Sequence, residues 1–217
     1  MKELPILFSG PMVRAILEGR KTQTRRIIKN APTNKESYIL GCHKSVWGIH
    51  ENVENDGGVH RFSCPYGVVG NRLWVRETFC QKFEDGYPVY NSENDLDSSC
   101  CWYKADGTDV RCDDGDGGTK FNKDGSMASP WTPSIHMPRW ASRLTLEITG
   151  VRVERLNDIT PNDVVSEGIE LSKPDLTIHY GLDAEAKSCF ADIWDSINGD
   201  GSWNANPWVW VVEFKQI

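Results

Sequence analysis

The sequence predicts an α+β fold: a β-barrel-like domain with a few short peripheral helices and two long loop insertions. Three observations carry this reading. Several segments alternate apolar and polar residues with the period of a half-buried strand. Only three short stretches combine helical periodicity with helix-end signals. Two segments, at about residues 30–70 and 83–130, are rich in Gly, Asn and Asp and read as loops. The chain has 217 residues, enough for one good core, so the expected organisation is a single domain over residues 1–217 that carries both insertions. It shows no internal repeat.

PILFSG (5–10) reads as a short strand. PMVRAILEG (11–19) reads as a short helix, with Pro11 at its first position, Gly19 just past its end, and Met12, Val13, Ile16 and Leu17 on one face. In RLWVRETF (72–79), Leu73, Val75, Glu77 and Phe79 point one way and Arg72, Trp74, Arg76 and Thr78 the other. RLTLEITGVRVERL (143–156) is a long strand whose apolar parity flips at Gly150, as a β-bulge would flip it. TPNDVVSEG (160–168) has a Thr cap, a first-turn Pro and a closing Gly. AEAKSCFADIWDSING (184–199) is an amphipathic helix through Ala186, Phe190, Ile193, Trp194 and Ile197. PWVWVVEF (207–214) is a last strand with Trp208, Trp210, Val212 and Phe214 on one face. Within the second insertion, YPVYN and CWYKADG are expected to pair as a hairpin.

Composition narrows the function classes. Nine Trp and 10% aromatic residues are far from a disordered composition. No apolar run approaches the roughly 18 residues of a membrane span. MKELPILFSG is too short and polar for a secretory signal, so the expectation is a cytoplasmic protein with no membrane partner. The seven cysteines (42, 64, 80, 100, 101, 112 and 189) include no C-x-x-C pair. Free thiols are therefore expected, with no metal and no cofactor; Cys42–His43 with Cys64 is a faint exception. Net charge is −7, and residues 83–127 alone carry 11 acidic and 4 basic side chains, which accounts for all of it. Within the neutral remainder, residues 14–29 hold six basic side chains against one acid, Glu18. Binding to generic nucleic acid should therefore be weak and salt-sensitive, and the acidic insertion is a candidate surface for a host protein partner.

The basic stretch EGRKTQTRRIIK (18–29) holds the main chemical signal. Gly19 ends a helix and TRRII resembles a strand, so residues 20–24 are expected to form the turn between them. In a turn Lys21 and Thr24 would converge, and Arg26 would lie on the side of Thr24. Glu77 sits on the face of its strand that should point inward. A carboxylate there needs a cation or donor, or must be neutral, and Lys21, Thr24 and Arg26 are candidate partners. Together these residue types suit a site with Thr24 as nucleophile, Lys21 as base or polariser and Glu77 as proton carrier. A lysine of pKa about 10.4 must be depressed to act as a base, which partial burial achieves. The plain alternatives are a solvated turn and a buried ion pair.

Gly19, Lys21, Thr24 and Arg26 form G-x-K-x-x-T-x-R, which resembles the signature of the ASCH domain, a PUA-like β-barrel family. The likeness extends to the strand ending in Glu77 and to the C-terminal strand. PILFSGPMVRAILEGRKTQTRR, GNRLWVRETF, PSIHMPRWASRLTLEITGVRVERL and NPWVWVVEF are similar to longer ASCH-containing proteins common in phages and prophages. These segments cover roughly the whole chain outside residues 30–65 and 83–130. The resemblance implies a PUA-like barrel and an amidohydrolase that removes the acetyl group from 4-acetylcytidine, with its catalytic Lys, Thr and Glu at Lys21, Thr24 and Glu77. It also admits other roles, because ASCH proteins include ribonucleases and PUA-like relatives bind RNA or read modified bases. The two insertions set this chain apart from the small enzymes.

Arg26, His136, Arg139 and Trp74 are the candidate substrate-binding residues. His136 suits proton transfer near neutral pH, and Arg139 suits a phosphate or carboxylate; the plain readings are a loop cap and an ion pair with the acidic insertion. Trp208 and Trp210 read as core, whereas Trp47, Trp74, Trp131 and Trp140 are candidates for stacking on a base. SINGDGSWNANPW (196–208) is either a simple turn or a loop presenting amides to a base edge. The expected function is hydrolysis of an acylated pyrimidine nucleoside. The rivals are a non-catalytic reader of RNA or modified nucleobases, a ribonuclease, and a phage protein that binds a host factor.

Overall fold

The structure, a computed structural model, describes residues 1–32, 37–43, 46–50, 58–84, 87–107, 131–171 and 182–217. It is an α+β protein. In chain order its elements are β1 (Glu3–Leu7), α1 (Gly10–Leu17), β2 (Gln23–Ile27), β3 (Tyr38–His43), β4 (Val46–His50), β5 (Val59–Ser63), β6 (Arg72–Arg76) and β7 (Phe79–Gln81). There follow β8 (Phe83–Glu84), β9 (Tyr87–Pro88), β10 (Cys101–Tyr103), β11 (Thr145–Arg155), α2 (Pro161–Ser166), α3 (Leu182–Asn198) and β12 (Trp208–Gln216). The largest sheet has the order β1-β6-β11-β12-β2. Among the described residues no sheet closes into a barrel. The chain divides into two compact units: residues 1–2, 18–71 and 147–215 form the first, and residues 3–17, 72–146 and 216–217 the second.

In the first unit β12 pairs antiparallel with β2, placing Trp210 opposite Arg26 and Val212 opposite Thr24. Every residue from Trp208 to Val212 is buried, so this strand is covered on both faces rather than on the single face its alternation indicated. Val209 and Val211 enter a core with Leu156, Ile159, Val164, Ala186, Phe190 and Trp194. A capping box starts α2: the Thr160 hydroxyl accepts from the Asp163 amide at 3.2 Å, and the Asp163 carboxylate accepts from the Thr160 amide at 3.0 Å. On α3 the buried stripe is Ala186, Phe190 and Trp194, narrower than expected, because Ile193 and Ile197 are exposed. Phe190 lies 5.9 Å from the Trp194 ring and 6.0 Å from Trp203. The Asp195 carboxylate accepts bonds from the Gly201 and Trp203 amides and the Ser202 hydroxyl, so the loop after α3 is tied down from within.

The first insertion is not only loop, because β3, β4 and β5 form an antiparallel three-stranded sheet. Trp47, a stacking candidate in the sequence, is instead a buried residue of β4, its ring edge-on to Trp210 at 4.9 Å. The side chains of Cys42 and His43 lie outside the described residues, as does Cys112. The flip of apolar parity at Gly150 is present: Leu146 and Ile148 are buried, then Val153. A Cβ on Gly150 would press on the Glu213 side chain, whose carboxylate would have to give way.

In the second unit β1 pairs parallel with β6, Pro5 opposite Trp74 and Ile6 opposite Val75. Leu73, Val75, Glu77 and Phe79 are buried in alternation, as expected. Helix α1 buries Val13, Ala15 and Ile16 but leaves Leu17 exposed, so its inward face is centred between the expected positions. The expected hairpin of YPVYN with CWYKADG does not form. Instead β9 returns on β8, and β10 pairs with β7, Trp102 opposite Cys80. Phe79, Cys101, Tyr103, Met137 and Ala141 make the local core, with Trp140 against it. No described helix is long and apolar enough to cross a membrane.

The aromatic cluster on α3 gives a stability test. Phe190→Ala should lower the unfolding free energy by ~3–5 kcal/mol, the range for deleting a buried aromatic ring. Urea denaturation would read this as a lower midpoint at unchanged slope; a loss under ~1 kcal/mol would show that Phe190 is not a core residue.

Candidate functional site

Lys21 is 2% exposed, and Thr24 is 1% exposed. The turn before them is shorter than the sequence indicated. Gly19 takes a positive φ of 75°, which a residue without Cβ adopts freely. Lys21 then already forms a backbone bridge with Glu167, and β2 begins at Gln23. The Lys21 ammonium donates to the Glu167 carboxylate at 2.7 Å and to the Glu167 main-chain carbonyl at 2.9 Å. Arg25 reaches the same Glu167 carboxylate at 3.4 Å, Glu154 at 3.0 Å and Asp163 at 3.2 Å. Gln23 donates to Asp163 at 3.1 Å. Arg152 completes the network through Asp163 at 2.9 Å and close pairs with Glu154 and Glu213. Lys21, Gln23 and Arg25 therefore serve one set of carboxylates, while Thr24 and Arg26 occupy the alternate face of β2.

Burial pushes the Lys21 amine below its ordinary pKa. The charge and hydrogen bond of Glu167 oppose this, and the like charges of Arg26 and Arg25 add to it. Burial also works against ionisation of Asp163. Hydrogen bonds from Thr160, then Arg25 and Gln23, nevertheless hold its carboxyl down at about 2. Arg26 is half-buried, and its charge opposes the burial-driven rise of the Tyr66 phenol.

Glu77, in the second unit, is 1% exposed. Its cation is Arg143, which was not among the partners considered from sequence. The guanidinium grips it with two bonds, Nε to Oε1 and Nη2 to Oε2, both at 3.0 Å. The same guanidinium makes two further bonds to Asp106, at 2.8 and 2.7 Å, and lies 3.9 Å from the centre of the Tyr103 ring. The Glu77 amide faces the Met137 sulfur at 3.3 Å. Burial pushes the Glu77 carboxyl above its ordinary pKa; Arg143 offsets only part of this, and the charge of Asp106 adds to it. For Arg143, burial alone would lower the pKa, but the bonds to Glu77 and Asp106 raise it above its ordinary value.

The remaining candidates lie in the second unit. Trp74 is half-buried, with the Arg76 guanidinium 5.5 Å and the Arg139 guanidinium 6.0 Å from its ring centre. Among the described residues Arg139 pairs with Glu3 at 3.1 Å and donates to Thr145 at 3.3 Å. His136 is exposed at the end of a single 3-10 turn, Ser134–His136. Sequence reasoning missed the ionic partners: Glu167, with Arg25, Arg152, Glu154 and Asp163 in the first unit, and Arg143 with Asp106 in the second. Periodicity had marked Glu77 as a buried acid, but nothing in the spacing of Arg143 marked it as the answering base. Among the described residues no three His, Cys, Asp or Glu side chains are grouped to hold a metal ion.

The Asp163 hub can be tested by titration. Its folded pKa lies below the ordinary 3.8, so its charge stabilises the fold above that value and loses the effect as pH falls toward about 2. Asp163→Asn should cost ~1–3 kcal/mol at neutral pH. In urea melts the gap from wild type should narrow through that acid window; a gap independent of pH would show that charge is not what Asp163 contributes.

Comparison of the chain with protein families, curated proteins and solved structures finds no match.

Proposed function

We propose that this chain is an ASCH-type amidohydrolase of PUA-like fold that removes the acyl group from an acylated pyrimidine nucleoside such as 4-acetylcytidine, in the cytoplasm of a bacterial host. One observation carries the reading: a lysine that burial drives toward the neutral amine, within three residues of a buried threonine. A neutral amine is what a general base requires. In this scheme the Lys21 amine, on the Arg25 side of β2, takes the Thr24 hydroxyl proton through a bridging water as the oxygen attacks the acyl carbon, and Arg26 holds the acyl oxygen. Glu77 gives a proton to the leaving amine, and water then releases the acyl group from Thr24. The raised pKa of Glu77 supports its role as a proton carrier, since it keeps more of the acid form available as pH rises.

The test is to incubate the pure protein with a panel of acylated nucleosides and read products by mass spectrometry. Thr24→Val should cut turnover at least ~10²-fold, the lower end of what a positioned proton-transfer group supplies, with circular dichroism unchanged; Lys21→Met should cut it as far but also lower the unfolding free energy, because it strands the Glu167 carboxylate. Cleavage of no panel member, or equal cleavage by wild type and both variants, overturns the assignment.

A second reading, a non-catalytic reader of RNA or modified bases, is favoured by one face in the second unit. Arg72, Trp74 and Arg76 alternate along β6, and Arg139 lies near the Trp74 ring. An indole among guanidiniums has the composition of a base-stacking platform. Here Trp74→Ala should weaken binding of a single-stranded RNA roughly 5- to 150-fold in fluorescence anisotropy, the effect of ~1–3 kcal/mol of lost stacking. Unchanged affinity would sink this reading.

A further inference from the structure

We propose that Asp106, contributed by the second insertion, acts with Arg143 as a positioning pair that sets the charge state of Glu77. The inference rests on the reading of Glu77 as a proton carrier, and it assigns a role to part of an insertion that the small enzymes do not share.

The geometry supports it in three steps. First, one guanidinium binds both carboxylates through paired bonds, so the share of Arg143 left to Glu77 depends on Asp106. Second, Arg143 is held in place: it stacks on Tyr103, whose hydroxyl donates to the Ala141 carbonyl at 2.8 Å. Third, Asp106 is not a passing surface charge. It ends a short 3-10 turn, Lys104–Asp106, which Gly107 closes with a φ of 73°. The Lys104 amide bonds to the Thr78 carbonyl at 3.0 Å, and Arg14 donates to the Ala105 carbonyl at 2.9 Å, so the first and middle residues of the turn are anchored. Among the described residues the charged or titratable groups facing Glu77 in this unit are Arg143, just before β11, Asp106 and Tyr103.

The two partners act in opposite directions. Neutralising Asp106 removes a like charge and leaves Arg143 wholly to Glu77, so Glu77 should hold its proton less tightly. Removing Arg143 deletes a cation and two hydrogen bonds, so Glu77 should hold its proton more tightly. A pair that only braces the fold would also move the Glu77 midpoint but would leave the pH profile of turnover where it was.

The experiment is an NMR titration of the Glu77 carboxyl carbon in glutamate-labelled full-length protein, assigned by its loss in Glu77→Gln. The expected result is a midpoint that moves down in Asp106→Asn and up in Arg143→Gln. In turnover of acylated nucleosides, the basic limb of the pH profile should move in the same directions. A midpoint that does not fall in Asp106→Asn overturns the proposal. That variant alters a side chain that is 40% exposed, so it decides the matter alone if Arg143→Gln does not fold. If wild type cleaves no acylated nucleoside, the amidohydrolase reading fails while the titration still decides whether Asp106 governs Glu77.

Discussion

A charge taken out of water must meet an opposite charge, and in the first unit that requirement is met between Lys21 and Glu167. The pair is 2.7 Å long, and the lysine side chain has no measurable exposure. It ties the segment entering β2 to the residue that ends α2, and the same carboxylate also receives Arg25. Arg25 and Arg152 then draw in Glu154 and Asp163, so a strand, a short helix and the long β11 share one set of ionic contacts. Removing a single member of such a set strands its partner, at ~3–5 kcal/mol for a buried pair. That asymmetry makes the ionic network a structural keystone whatever chemistry the lysine performs.

Burial and pairing pull against each other in both units. Lys21 leans toward the neutral amine despite its counter-ion, and Glu77 leans toward the neutral acid despite a two-pronged guanidinium. A pair whose only task was cohesion would gain nothing from either tendency. Under the proposed chemistry both tendencies would serve, because a group that passes a proton on cannot hold either charge state too strongly.

Local pattern was most informative where a residue's environment follows from its own strand or helix. The alternation of Leu73, Val75, Glu77 and Phe79 placed a carboxylate indoors, and Thr160 with Pro161 marked the start of α2. Partners were another matter. Arg143 meets Glu77 across 66 positions of sequence and Glu167 meets Lys21 across 146, and no spacing rule links such pairs. The β3–β5 sheet was hidden because its short strands are interrupted by Gly41 and Gly48 and surrounded by turn-forming residues. Trp47 looked available for stacking only because that sheet was not visible. Barrel closure likewise depends on how end strands meet, which alternation within each strand does not encode.

The pairing of β2 with β12 also bears on how the molecule is made. Thr24 finds its strand partner at Val212, so the segment holding Lys21 and Arg25 is synthesised long before the strand beside it exists. A ribosome adds about 5–20 residues each second, which leaves that basic segment without its neighbouring strand for roughly ten seconds or more. Contacts this distant in sequence also slow folding once the chain is complete. The nascent chain thus carries an arginine-rich strand without its β12 partner throughout the synthesis of residues 28–207, where its hydroxyls and guanidiniums favour contact with water.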